Sequence, residues 1–237
     1  VVAGAIIVIG FKLPVNTIGM KADGSVNYTI TKALPHVLFE CCSSGGGRYD
    51  PGMLYYSPQI WCSDDTDAFE RLAIQEGTAL VYPLSTMGAH VSVCPNHACG
   101  RVTPFKTRGY VALSGTFGYE LDITKLSTED RKIIPEQIKL YKKFSDLVRN
   151  GEYWRIASYQ ENNEYDAWMS ISKDKKKALL TFIQVLNRPN YKSRNIKLAG
   201  LKEDSKYKIT YPDENPKDYP PLILSGKTIM NAGILIR

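Results

Sequence analysis

From residue 36 to residue 150, short apolar stretches alternate with helical ones, and after Gly151 the helical signals stop. A chain with that alternation is confined to a parallel sheet with crossover helices, because two parallel strands need a long connection between them. Val37-Leu38-Phe39-Glu40 reads as a buried strand that runs into a Gly-rich loop. Gln59-Ile60-Trp61-Cys62-Ser63 reads as a second, followed at once by acids and a helix, and Ala89-His90-Val91-Ser92-Val93 as a third. Tyr110-Val111-Ala112-Leu113, running towards Phe117, is the candidate fourth. One helix is predicted from near Asp65-Thr66-Asp67 through Leu72 to Glu76, with Gly77 ending it. Another has Ser127 as its N-cap and an interruption or kink near Pro135, and closes at Gly151.

Beyond Gly151, Arg155–Tyr159, Ala167–Ser172, Ala178–Val185, Ile196–Leu198, Tyr207–Tyr211 and Ile234–Arg237 read as strands separated by turns. The expectation is therefore α/β then all-β: residues 1–150 as one part and residues 151–237 as a small antiparallel domain, a β-sandwich. The 237 residues, 43% of them hydrophobic, suffice for one large core or two small ones. Val1-Val2-Ala3-Gly4-Ala5-Ile6-Ile7-Val8-Ile9 is well short of the ~20 apolar residues that span a bilayer. It has no basic start and no clear cleavage site, so it reads as a buried strand, and no membrane association is expected. No Met opens the sequence, and we expect a piece of a longer chain.

The net charge of +6 does not point to nucleic acid. Its Lys and Arg residues are scattered, and the densest run, Lys175-Lys176-Lys177 beside Asp174, reads as a solvated hairpin turn. Five cysteines, Cys41, Cys42, Cys62, Cys94 and Cys99, are an odd number in a long chain. That argues for a reducing, cytoplasmic setting rather than a disulfide framework. Cys94, His97 and Cys99 lie close in sequence but lack a fourth zinc ligand, so no metal or cofactor is expected.

Two constellations can carry chemistry. In Cys42-Ser43-Ser44-Gly45-Gly46-Gly47-Arg48, three glycines after a strand let backbone approach a ligand closely. The loop lacks the Gly-Lys-Ser/Thr of a P-loop and the spacing of a dinucleotide fingerprint. A sugar pocket and a tight turn without function both remain open. In Ser63-Asp64-Asp65-Thr66-Asp67, three carboxylates sit where a strand ends and a helix begins. Asp65 or Asp67 can cap that helix, whose dipole lowers a carboxyl pKa and suits a general acid badly. Asp64, still on the strand, is the better acid, although three capping or solvated acids remain an alternative. Trp61, Tyr55 and Tyr56 could form a stacking platform for a sugar, and His36 and His90 read as structural.

Leu34-Pro35-His36-Val37-Leu38-Phe39-Glu40, Cys42 to Tyr56, and Gln59 to Asp67 closely resemble the α-galactosidases of glycoside hydrolase family 36. So do Leu80 to Ser92, Gly115-Thr116-Phe117-Gly118-Tyr119-Glu120-Leu121-Asp122 and Met230-Asn231-Ala232-Gly233, with the likeness running from about Thr31 to Arg237. The resemblance implies the C-terminal half of a (β/α)8 TIM barrel followed by a β domain. It implies retaining hydrolysis of terminal α-linked galactose in sugars such as melibiose and raffinose. It makes Asp64 the proton donor, places Cys42 and Gly45 in the galactose subsite, and suggests a homo-oligomer for the full-length enzyme. The family nucleophile is an Asp in a Lys-Trp-Asp motif, and that motif does not occur in this sequence. Residues 1–30 do not resemble the segment that precedes Leu34 in the family. A non-catalytic carbohydrate-binding or assembly fragment and a galactosyl-transferring enzyme are the alternatives.

Overall fold

The structure, a computed structural model, describes residues 31–47, 49–189, 193–212, 214–215 and 217–236. The strand expected at Val1–Ile9 lies outside them. Four strands, β1 (Glu40–Cys41), β2 (Gln59–Trp61), β3 (Met87–Ser92) and β4 (Thr116–Glu120), form one sheet in the order β1-β2-β3-β4. All three pairings are parallel. Helices Glu70–Ala79 and Phe105–Ala112 connect successive strands, and a third, Thr128–Asn150, follows β4.

Side chains alternate across a strand, and β3 shows the result. Met87, Ala89 and Val91 are fully buried towards the helices, with Leu84 and Val148 around Met87, and Phe105 and Ala112 around Val91. Tyr110–Leu113 is not a strand. Tyr110, Val111 and Ala112 belong to the Phe105–Ala112 helix, which buries Phe105, Arg108, Val111 and Ala112 at three- and four-residue spacing. The fourth strand begins at Thr116 instead. The first helix starts later than the acids suggest, at Glu70, and passes through Gly77, which is exposed there. The long helix is capped as expected, with Ser127 Oγ accepting the Asp130 N–H at 3.0 Å. It runs through Pro135 without interruption, because burial of Gln137, Leu147 and Val148 holds the chain beyond it.

The rest of the chain is mainly antiparallel. Strands β5 (Glu152–Ala157), β6 (Tyr165–Ile171) and β7 (Ala178–Gln184) form a three-stranded sheet with β6 in the middle. The Lys run makes the β6–β7 turn, with Lys175 at φ 61°. Strands β8 (Arg194–Ile196), β9 (Lys206–Ile209), β10 (Leu222–Ser225) and β11 (Ile234–Ile236) form two ribbons, β8 with β11 and β9 with β10. Sequence reading missed β10 and the two short helices, Tyr159–Asn162 and Gly226–Asn231.

β6 is buried on both faces. Met169 and Ile171 pack with Ile196, Leu201, Ile229 and Ile234, while Trp168 packs with Ala68, Leu72, Val111 and Ile183. The second seam also holds acid. Asp166 is 4% exposed and shares an interior space with Glu76 and Tyr153. Glu76 is ion-paired with Arg155 at 2.9 Å, and Arg155 also reaches Glu161 at 2.9 Å. Burial pushes the Asp166 carboxyl up to about 6, and the nearby Glu76 charge pushes the same way. A raised carboxyl pKa gives stability that is present below about pH 4 and lost as pH rises through about 6. Asp166→Asn in the full-length protein should remove that loss, gaining about 1–2 kcal/mol on the wild type between pH 4 and pH 7. Denaturant unfolding across this range measures it, and parallel pH profiles for the two proteins would refute the assignment.

Candidate active site

β2 ends at Trp61, and the chain turns away from the sheet through Cys62-Ser63-Asp64-Asp65-Thr66-Asp67. Arg71 fixes the start of that corner. Its guanidinium lies 4.0 Å over the Trp61 ring, donates to Cys62 Sγ at 3.0 Å and to the Ser63 carbonyl at 2.5 Å, and is 3% exposed. Burial lowers the Arg71 pKa and raises that of the Cys62 thiol, while the Arg71 charge pulls the thiol the other way.

Asp64 is exposed, and the Gly-rich turn lies flat against it. Gly45 has φ +70°, and a Cβ there would come within 2.8 Å of the Asp64 amide nitrogen and 3.1 Å of its carboxyl carbon. Gly46 is equally close to the corner, its would-be Cβ 2.7 Å from the Cys62 carbonyl oxygen. The Cys42 Sγ lies 3.8 Å from Asp64 Oδ1. The fold therefore brings together Cys42, Gly45 and Asp64, three residues from loops 22 positions apart at their extremes.

The other two acids do different work. Asp65 Oδ1 accepts the Asp67 N–H at 3.0 Å, closing a local turn. Asp67 is 2% exposed, and its Oδ2 accepts the N–H groups of Phe69 and Glu70, each at 3.1 Å. That oxygen is also ion-paired with Arg101. Asp67 thus closes the turn that leads into the Glu70–Ala79 helix, taking the first N–H groups there, a role the sequence left open between it and Asp65.

The sheet face opposite the helices is polar. A Cβ at Gly88 would meet the Trp61 ring at 3.1 Å, the Gln59 amide at 3.5 Å and the Glu40 carboxylate at 3.5 Å. His90 stacks on Trp61 at 4.6 Å, and its Nδ1 is 3.8 Å from Glu120. Trp61 is thus held between Arg71 and His90, while Tyr55 and Tyr56 pack edge to face on each other. Sequence reading missed Glu40, Gln59 and Arg71. The period-2 placement of polar residues on β1 to β4 was the available signal for the first two. Cys94 Sγ points to the Thr103 carbonyl and Cys99 Sγ to Asn96 Oδ1. Among the described residues, no group of three or more His, Cys, Asp or Glu side chains is placed to hold a metal ion, and no helix is long and apolar enough to cross a membrane.

An exposed carboxylate beyond the C-terminal end of a parallel strand, beside a thiol and a glycine surface open to close approach, can exchange a proton with a bound polar ligand. The Melibiase family model matches residues 22–151, starting earlier than the likeness read at Thr31, and the glycosyl hydrolase family 36 C-terminal domain matches residues 165–237. The chain is 53% identical over 180 residues to the α-galactosidase AgaA of Geobacillus stearothermophilus, covering 76% of this chain and 25% of AgaA. It is 48% identical over 200 residues to the bifunctional α-galactosidase/sucrose kinase AgaSK of Mediterraneibacter gnavus, covering 84% of this chain and 20% of AgaSK. A crystal structure of an AgaA variant from Geobacillus stearothermophilus in complex with raffinose superposes with a TM-score of 0.82 at 44% identity, covering 90% of this chain and 28% of the other. The chain spans about a quarter of the length of these relatives. With a family model over more than half its length and this identity to its relatives, the chain belongs to glycoside hydrolase family 36, the melibiase family.

Proposed function

We propose that this chain is part of a retaining α-galactosidase that removes terminal α-linked galactose from oligosaccharides such as melibiose and raffinose. The convergence of Cys42, Gly45 and Asp64 on one corner carries the reading. Asp64 gives its proton to the glycosidic oxygen as the galactosyl–oxygen bond breaks, then takes a proton from the water that releases galactose. Cys42 and Gly45 line the galactose subsite, where the glycine leaves room for the sugar and the acid together.

Retention needs a second carboxyl ~5–5.5 Å from the first, acting as nucleophile. Asp67 does not serve, because it is buried and engaged by Arg101 and two backbone N–H groups. Asp65 is tied into the same corner as Asp64. The nucleophile is assigned to a segment outside this sequence because the family's Lys-Trp-Asp motif does not occur in it. The four parallel strands fit the C-terminal half of a (β/α)8 barrel, and the antiparallel strands beyond a boundary near Gly151 fit a β-sandwich domain. The five cysteines are all thiols, which fits a reducing cytoplasmic setting, and the full-length enzyme is read as a homo-oligomer. A galactoside-binding segment without turnover is the second reading, favoured by the lack of a Lys-Trp-Asp motif.

The test is release of galactose from raffinose by the full-length protein, with products analysed in the presence of a sugar acceptor. Free galactose is the expected product. A protein that binds raffinose without cleaving it would establish the second reading, and one that hands galactose mainly to the acceptor would make it a transferase.

A further inference from the structure

The Asp64 carboxylate has little of its own to orient it. The described hydrogen-bond partner of its side chain is the Cys42 thiol, at the long distance of 3.8 Å. Its direction must be set by the backbone on either side. Gly45 backs its amide, and beyond it the chain is tied down at Thr66.

Thr66 is held twice from the far end of β3. Ser92 Oγ donates to the Thr66 carbonyl at 2.5 Å, and Asn96 Nδ2 donates to Thr66 Oγ1 at 3.1 Å. Asn96 is 4% exposed, and its remaining polar groups close its own loop. Its Oδ1 accepts the N–H groups of Ala98 and Cys99 at 2.9 and 3.2 Å. Its backbone N–H donates to the Arg101 carbonyl at 2.9 Å, and its carbonyl accepts the Gly100 N–H at 2.8 Å. The same loop sends Arg101 to Asp67. A buried amide bonded through both its side-chain oxygen and its side-chain nitrogen is a rigid strut, because breaking either bond leaves a desolvated donor or acceptor.

We propose that Asn96 and Ser92 act through Thr66 as positioning residues that hold the Asp64 carboxyl in its proton-donating orientation. The proposal rests on the α-galactosidase reading above. None of the three needs to touch the sugar. A shift of about 1 Å in a reacting group can cost on the order of 100-fold in rate.

Thr66→Val keeps the side-chain shape and removes the acceptor, Thr66→Ser restores the hydroxyl, and Ser92→Ala cuts the other tie. All are made in the full-length protein and assayed on two substrates. Raffinose has a poor leaving group that needs a proton. An aryl α-galactoside with an acidic phenol leaves with little help. For Thr66→Val and Ser92→Ala, kcat/KM on raffinose should fall roughly 30- to 100-fold and that on the aryl galactoside less than about five-fold, with Thr66→Ser near wild type. Equal losses on both substrates, or no loss on either, would overturn the clamp; if Thr66→Val does not fold, Ser92→Ala gives the same reading. Asp64→Ala separates this from the parent reading. Selective loss of raffinose cleavage in Asp64→Ala without it in the clamp variants sinks the clamp alone. A parent protein that cleaves neither substrate sinks both.

Discussion

Asp64→Ala in the full-length protein should lower kcat/KM for raffinose by about 10³-fold, within the 10²- to 10⁴-fold range of general acid catalysis. The argument is positional. Of the three acids at the β2 corner, Asp64 alone is exposed, and it faces the Cys42 thiol and the Gly45 turn. Asp67 provides the contrast. It is 2% exposed and spends its carboxylate on two backbone N–H groups and Arg101. Asp67→Asn keeps an acceptor for the turn and gives up the charge, so it should cost about 1–2 kcal/mol of stability and leave the rate per folded molecule nearly intact. Steady-state kinetics paired with denaturant unfolding on both variants decides the matter. Wild-type raffinose cleavage by Asp64→Ala would refute its role as proton donor. A rate collapse in a stable Asp67→Asn protein would exchange the roles of the two acids.

Gly45→Ala should also be damaging, for two separable reasons. At φ +70° an alanine is strained, which costs about 1 kcal/mol or more. Its methyl would also sit 2.8 Å from the Asp64 amide nitrogen, a backbone atom that cannot turn aside as a flexible side chain would. Either the Gly-rich turn lifts or the acid corner moves, so we expect kcat/KM on raffinose to fall by on the order of 100-fold. Stability should fall by roughly 2 kcal/mol. Kinetics and unfolding on the same preparation check both. Full activity in Gly45→Ala would mean that the turn and the acid do not share a ligand.

Asp64 and the Gly-rich loop were legible because acids at a strand end and glycines after a strand are local patterns, whereas Cys42 and Gly45 were singled out within that loop only by the resemblance to the family. What brought them into contact, the parallel pairing of β1 with β2, is not local. The Ser127 cap and the Lys175 turn were legible for the same reason, each being settled within a few residues. Tyr110–Leu113 misled because a short apolar run fits a buried strand or one face of a helix equally well. Packing against β3 decided for the helix. Helix Gly226–Asn231 was hidden by its brevity and its opening Gly, although Ser225 caps it through the Thr228 N–H at 3.1 Å. Asn96 could not have been read as a strut, since its partner Thr66 lies 30 positions back and nothing in its neighbourhood marks it.

The double burial of β6 bears on how such chains can be recombined. Gly151 is an inviting joint for a chimera, because the character of the sequence changes there. A graft of residues 151–237 from a relative would nevertheless bring its own counterparts of Trp168 and Ile183 against the resident Ala68, Leu72 and Val111. The donor strand would have to fit two hosts at once, its own ribbons on one side and a foreign pair of helices on the other. Viable hybrids should therefore carry the Ala68–Leu72 and Val111 positions along with the strands they cover, a joint drawn through space and not at a single point along the chain.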